Sequence, residues 1–309
     1  MYRHLLLLAC LSARMLLGWG CEGHQIVALI AEANLSPHAA EQVRQILTQH
    51  PIDPATIRFC LDNRDDPMAD ASTWADDARR TDGGARWHYI DIPRQATEGD
   101  PNQWCQPIGP AVTKGDRDGC VLTAIAYFRG KLANPQTPPP ERAAALRYLI
   151  HFVGDLHQPL HAADNHDNGG NCAPMALPGA TTISNLHSIW DTGLIEQHLK
   201  DVNETARQYA AALNKRFQEK RAEWSAGDVN SWAWQSHGLA NSVVYGALQP
   251  QIPVEPAAGR TDCNAESAKV YELRISPGRE YSAKAIPVID EQLTRAGYRL
   301  AAMLNAIWP

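Results

Sequence analysis

ERAAALRYLIHFVGDLHQPLH, residues 141–161, keeps a helical apolar pattern until Pro159 ends it. Residues four apart share a helix face, so His151 and Asp155 can point at one cation. His161 lies just past the stop, where a loop can turn it toward a separate ion. His157, two residues after Asp155, faces another side and reads as a core residue or a hydrogen-bond donor behind the ligands. A second H-x-x-x-D spacing follows at His187 and Asp191. One such pair ordinarily marks a cap or a salt bridge on a solvated face. Two pairs, with extra histidines wrapped around a helix end, are the donor set of a metal centre carried on helices.

Helical patterning extends outward on both sides. Ile26, Val27, Leu29, Ile30 and Ala33 form a stripe, and Ser36-Pro37 opens a second helix through Val43, Ile46 and Leu47. Residues 51–72 are polar and irregular, 73–80 look helical, and a further helix runs from about Val121 to Leu132. His88-Tyr89-Ile90-Asp91-Ile92 alternates like a short extended segment closed by Pro93. ANPQTPPPE, 133–141, has the composition of a linker, but the histidines on either side belong to one site, so a loop between packed helices is expected. Residues 165–183, rich in Gly, Pro and Thr, read as an exposed hairpin, and helix resumes from Leu186 to the end. With 309 residues and 44% hydrophobic content the chain can bury a full core unaided. The expectation is a mainly α, single-domain helical bundle with a small β-hairpin, spanning 19–309.

Residues 1–18, MYRHLLLLACLSARMLLG, combine a short basic start with a leucine-rich stretch too short for a membrane span. This predicts a signal peptide cleaved before Trp19, and hence a secreted or periplasmic protein. Six cysteines remain after the cut: Cys21, Cys60, Cys105, Cys120, Cys172 and Cys263. Three disulfides are expected, with fifteen pairings open, and no C-x-x-C spacing suggests a thiolate zinc site. The balance of 28 basic against 34 acidic residues, net -6, excludes a broad basic surface of the kind that gathers phosphates. Any polyanion must be held by something local. The Asp62, Asp65 and Asp66 run reads as a solvated loop, Arg94 as either a phosphate or base contact or a solvated charge, and Asn34-Leu35-Ser36 and Asn203-Glu204-Thr205 have the form of glycosylation sequons.

Taken in order, Trp19-Gly20-Cys21-Glu22-Gly23-His24, Trp74-Ala75-Asp76, His88-Tyr89-Ile90-Asp91, His151 to Asp155 through His161, and Asn185-Leu186-His187-Ser188-Ile189-Trp190-Asp191 resemble the zinc-dependent, single-strand-specific type I nucleases of fungi, plants and bacteria. Each motif alone is weak; the ordered set is specific and covers residues 19–191, with a fainter echo at Gly297 to Asn305. The resemblance implies the helical fold shared by zinc phospholipase C and type I nucleases, and three Zn2+. A first zinc would be held by Asp76, His88, His151 and Asp155, and a second by His161, His187 and Asp191. A third would take the amine and carbonyl oxygen of Trp19 as mature N-terminus, His24, and Asp155 as a bridging carboxylate. An α-amine titrates near ~8, so it can yield its proton to a metal around neutral pH.

The same resemblance assigns Arg79 to charge neutralisation at the phosphate, Tyr89 to stacking on a base and Asp91 to the base edge, with Asp76 and Asp155 as the catalytic carboxylates on the metals. Thr192, after Asp191, departs from the asparagine of some members that contacts the base, which leaves base preference open. It pairs Cys21 with Cys60 and Cys105 with Cys120, and leaves Cys172 for Cys263. The implied activity is hydrolysis of single-stranded DNA and RNA to 5'-mononucleotides, with 3'-nucleotidase action on 3'-nucleotides, by a monomer without a stable protein partner or a membrane. Three dications outweigh Asp76, Asp155 and Asp191, so a positive pocket can sit inside an acidic protein. No G-x-S-x-G or P-loop pattern supplies a rival nucleophile. Two other functions fit the ligands: a zinc phospholipase C, against which WGCEGH and the Tyr89/Asp91 pair stand, and a secreted zinc-binding protein without catalysis.

Overall fold

Helix α6, Pro139–Leu156, is buried along nearly its whole length from Ala143 onward, and a helix covered on all sides belongs at the centre of its fold. Prolines in its first turn remove amides that a helix leaves unpaired there anyway. The structure, a computed structural model, describes residues 19–60, 66–82, 84–105, 108, 119–249, 252, 275 and 277–309, without the side chains of 80–82. The elements before α6 are α1 (Cys21–Glu32), α2 (Pro37–Gln49), α3 (Pro67–Ala71), α4 (Trp74–Asp82) and α5 (Val121–Ala133). After it come a two-residue hairpin of β1 (Pro174–Met175) and β2 (Ser184–Asn185), then α7 (Leu186–Ser188), α8 (Leu194–Val202), α9 (Ala206–Arg216), α10 (Arg221–Trp224), α11 (Val229–Leu239) and α12 (Arg279–Ile307). The fold is mainly α, as expected.

Helix α5 packs along α6, so residues 134–138 are the loop between packed helices that the flanking histidines implied. Phe128, Tyr148 and Phe152 stack across that seam, with ring centroids 4.2 and 5.3 Å apart. Helix α1 lies against α6, α9 and α12. At its crossing with α12 the backbones approach closely: a Cβ on Gly297 would lie 2.5 Å from Ile30, which only glycine avoids. One continuous core joins buried residues from Trp19 to Trp308.

Three local readings need correction. Asp66 is buried, caps α3 by accepting from the amides of Met68 and Ala69, and pairs with Arg207 at 3.0 Å; it is not solvated, while Asp62 and Asp65 lie outside the described residues. Helix α3 itself has five residues, too few to show a period. Arg94 is buried too, held by Asn241 and Asn165 and lying over Tyr245, so it is not a solvated charge. The hairpin exists, but its exposed part is confined to 179–184, and Asn165, Asp167, Gly169 and Gly170 are buried. The segment after His88 is extended as expected, yet it begins from a 3₁₀ turn, Ala85–His88. It runs beside 161–164, bonded through Ile90 N to His161 O and Asp164 N to Ile92 O.

Cys21–Cys60 and Cys105–Cys120 are disulfides. Cys172 is disulfide-bonded as well, and its expected partner Cys263 lies outside the described residues, as do residues 1–18. No described helix is long and apolar enough to cross a membrane.

Candidate metal centre

Six chain segments converge on the buried end of α6. Helix α6 contributes His151 and Asp155, both fully buried. A 3₁₀ turn, Pro159–His161, follows at once and delivers His161; Pro159 enforces the break and Gln158 Oε1 caps the turn by accepting from Leu160 N. The 3₁₀ turn before the extended segment brings His88, α4 brings Asp76, and α1 brings His24. His187 sits on α7 and Asp191 on a single π-helical turn, Ile189–Gly193, a widened geometry that recurs at functional sites.

Two tight groups result. In the first, His88 Nδ1, His151 Nε2 and Asp155 Oδ2 lie 3.0 Å from one another, and Asp76 Oδ1 stands 3.8 and 3.9 Å from the two imidazoles. In the second, His161 Nε2 and His187 Nε2 are 3.2 Å apart, with Asp191 carboxylate oxygens 3.8 and 3.2 Å away. His24 completes a third arrangement, its Nε2 3.4 Å from Asp155 Oδ1 and its ring stacked 3.9 Å from that of His151. Asp155 thus turns one oxygen to each side. Asp76 is shared as well, since its carboxylate also groups with His24 and His151.

Trp19 is fully buried beside His24. Gly154 makes the space: a Cβ there would sit 2.9 Å from His24 Nδ1 and 3.8 Å from the Trp19 ring. Gly20 is fixed by the hydrogen bond its N–H donates to Asp191 O at 2.7 Å, and a Cβ on it would meet Thr192 Oγ1 at 2.3 Å. Thr192, the departure noted in the sequence, therefore packs the N-terminal segment onto the second group.

The donor set fits a divalent cation. His151, His161 and His187 each have Nδ1 against a backbone carbonyl, of Ser72, His88 and Gly169, at 2.6 to 2.7 Å. An Nδ1–H donated there leaves Nε2 as a lone pair, so His161 and His187 aim two lone pairs at each other beside a carboxylate. Only a proton or a cation makes that arrangement favourable. Both ring nitrogens of His24, Asp76 Oδ1, His88 Nε2 and Asp155 Oδ1 are buried with no hydrogen bond, and each such atom costs about 1–3 kcal/mol if left so. Zinc bonds of about 2.0–2.1 Å place tetrahedral ligand atoms roughly 3.3 Å apart, within the spread observed.

The electrostatics agree. Burial pushes the Asp155 carboxyl up, but His151, His24 and His88 outweigh it and hold the group well below the usual carboxylate range. Burial pulls His151 down, yet Asp155 and Asp76 prevail and raise it to about 9. Burial, helped by His187 and His88, takes His161 down to about 3, and burial outweighs His187 and Gln158 to push Asp191 up to about 6.

Arg79 lies three residues from Asp76, with Nη1 3.6 Å from Asp76 Oδ1 and its guanidinium 5.7 Å from the Phe59 ring centroid. Tyr89 and Asp91 flank the site on the extended segment, the first half-buried and the second exposed. His157 is a core residue, donating from Nδ1 to Val153 O and accepting from Arg299 at Nε2. Sequence reading missed the carbonyls of Ser72 and Gly169, and Gln158, whose amide donates to Asp191 at 2.5 Å.

The family description "S1/P1 Nuclease" matches residues 19–309. The chain belongs to the S1/P1 nuclease family. It is similar to Nuclease S1 of Aspergillus oryzae (29% identical, covering 96% of this chain and 93% of that one) and to Nuclease P1 of Penicillium citrinum (28%; 94% and 97%). Endonuclease 2 of Arabidopsis thaliana is 28% identical over 94% of this chain and 91% of its own length. Family membership makes the chain an enzyme and a nuclease, in preference to the phospholipase and non-catalytic readings.

Proposed function

We propose that this S1/P1 nuclease is an exported enzyme that uses three Zn2+ to cut single-stranded DNA and RNA to 5'-mononucleotides, with 3'-nucleotidase activity. The observation that carries the metal reading is the facing pair of Nε2 lone pairs on His161 and His187, 3.2 Å apart beside Asp191. The first zinc takes Asp76, His88, His151 and Asp155; the second takes His161, His187 and Asp191; the third takes Trp19, His24 and Asp155. The family match beginning at Trp19 supports that residue as the mature start. Disulfides in the described chain support export to an oxidising compartment.

When bound, the ions supply Lewis acidity and an activated water for in-line attack on phosphorus. Arg79 supplies fixed positive charge next to Asp76, where a phosphate oxygen gains charge as the bond breaks. Tyr89 offers a ring face to a base and Asp91 a carboxylate to its edge. Stacking on Tyr89 requires a base released from its duplex, which favours single strands.

The deciding experiment sequences the N-terminus of purified mature protein, counts its metals, and compares single-stranded RNA, duplex DNA and phosphatidylcholine as substrates. A start at Trp19, three zinc equivalents and preference for the single strand are expected. Another N-terminus, fewer than three equivalents after gentle isolation, or faster phosphatidylcholine hydrolysis overturns the proposal.

A further inference from the structure

The loop Asp164-Asn165-His166-Asp167-Asn168-Gly169-Gly170 lies in sequence between His161 and His187 of the second group and supplies none of its ligand atoms. It contains the left-handed residues His166, Asn168, Gly169 and Gly170, with φ of 67, 56, 60 and 84°. Such a path does not persist unless its surroundings impose it. Asp164 Oδ1 accepts from the amides of Asp167 and Gly169, and Asp167 Oδ1 accepts from Gly170 N at 2.7 Å. Gly169 O takes Nδ1–H of His187 at 2.6 Å, and the neighbouring Gly170 O takes the His187 amide at 3.3 Å. Gly169 is confined as well: a Cβ would lie 3.0 Å from Leu160 O.

Asp167 is itself buried, and the Tyr245 hydroxyl reaches both of its oxygens, at 2.9 and 3.2 Å. Tyr245 directly follows a second π-helical turn, Ala240–Val244, and its ring carries the Arg94 guanidinium at 4.4 Å. Asn241, within that turn, accepts from Arg94 Nε and donates to Arg94 O, while Arg94 N bonds Asp164 O. One π turn thus presents Asp191 as a donor, and the other braces the loop that aims His187. Arg94 joins the two ends of that brace.

We propose that Asp167, braced by Tyr245, is the positioning residue that fixes His187 as a ligand of the second group. This rests on the zinc reading given above. Asp167 acts through the Gly169–Gly170 turn, which holds the Gly169 carbonyl against His187 Nδ1 and so leaves Nε2 as the ligating lone pair. Loss of the carboxylate frees the carbonyl, lets the imidazole rotate, and weakens one metal position out of three.

The test uses the full mature chain loaded with zinc and challenged with a chelator. Wild-type protein is measured first: a wild type holding no zinc defeats the reading of the centre itself, before any variant is compared. Asp167→Ala is expected to hold two equivalents where wild type holds three, with affinity for the lost one down by about 10–100-fold. Asp167→Asn, which keeps an acceptor for Gly170 N, recovers much of that loss. Tyr245→Phe keeps the ring under Arg94 and weakens the same equivalent to a smaller degree. The Tm of metal-free protein is the control for a merely structural role. Retention of all three equivalents by Asp167→Ala with wild-type chelator resistance overturns the proposal, as does loss of all three together with a fall in that Tm. If Asp167→Ala does not fold, Tyr245→Phe decides by the same count: selective weakening supports the assignment, and wild-type retention refutes it.

Discussion

The two ends of the metal centre are built on opposite principles. Around Asp155 the candidate ligands stand on helices α1, α4 and α6 and on one short turn, and several of their buried atoms have no hydrogen bond. Around His161, His187 and Asp191 the atoms behind the ligating ones are satisfied: carbonyls hold Nδ1 of both imidazoles and Gln158 donates to the carboxylate, so only the facing Nε2 lone pairs await a cation. The helical side is an electrostatic deficit that a cation relieves. The loop side is preorganised by the protein, so its geometry should survive metal removal better. Structure at the first end depends on the ion; at the second, the ion depends on structure.

The largest effect should come from the shared carboxylate. Asp155→Asn is expected to leave fewer than two zinc equivalents and to lower activity by on the order of 10³-fold, whereas Asp191→Asn loses one equivalent. Equal losses, by elemental analysis and single-stranded DNA hydrolysis, would erase the distinction between the two ends. Arg79→Ala should lower kcat by about 10²-fold while all three ions stay bound, because its guanidinium faces Asp76 without replacing a ligand. Loss of an ion with it would move Arg79 into the scaffold.

Proton uptake separates the ends differently. His151, raised to about 9, holds a proton at pH 7 in metal-free protein, and zinc must displace it. Metal uptake at pH 7 should therefore release protons, and affinity should fall as pH falls. At the second end Asp191, pushed up to about 6, competes around and below that pH, and His187, raised by Asp191 against its burial, adds to the competition. Calorimetry in two buffers of different ionisation enthalpy reads the proton count, and no release at pH 7 contradicts the assignment. The smallest effect is Tyr89→Ala, expected to raise KM for single-stranded DNA about 10-fold at nearly unchanged kcat, since one stacked base contributes about 1–3 kcal/mol. A kcat loss instead would place Tyr89 in the chemistry rather than in recognition.

The helical end was legible in the sequence because its rule is one of spacing. His151 and Asp155 meet through a four-residue step, and Pro159 marks where the helix must stop. The loop end was legible only in its ligands. The carbonyls of His88 and Gly169 act through backbone, which leaves no residue-type mark, and His88 is 73 positions from the ring its carbonyl orients. Arg94 and Asp66 misled for the same reason: a charge in a polar stretch reads as solvated, and only tertiary structure shows Asn241 or Arg207 arriving from more than a hundred residues away. The π turns are invisible to a 3.6-residue period because each only lengthens the hydrogen-bond step from i→i+4 to i→i+5 over a single turn.

A chain end is usually the loosest part of a protein. Here the Cys21–Cys60 disulfide staples the backbone two residues inside Trp19, and Gly20 is tied to Asp191 O between them. In the proposed mature chain a terminal amine at Trp19 would thereby be tethered within a short radius of His24, as if dissolved at very high local concentration. Chelation by that end of the chain then resembles closing a ring more than capturing a free ligand, so extra residues ahead of Trp19 would cost the enzyme more than a comparable extension costs most proteins.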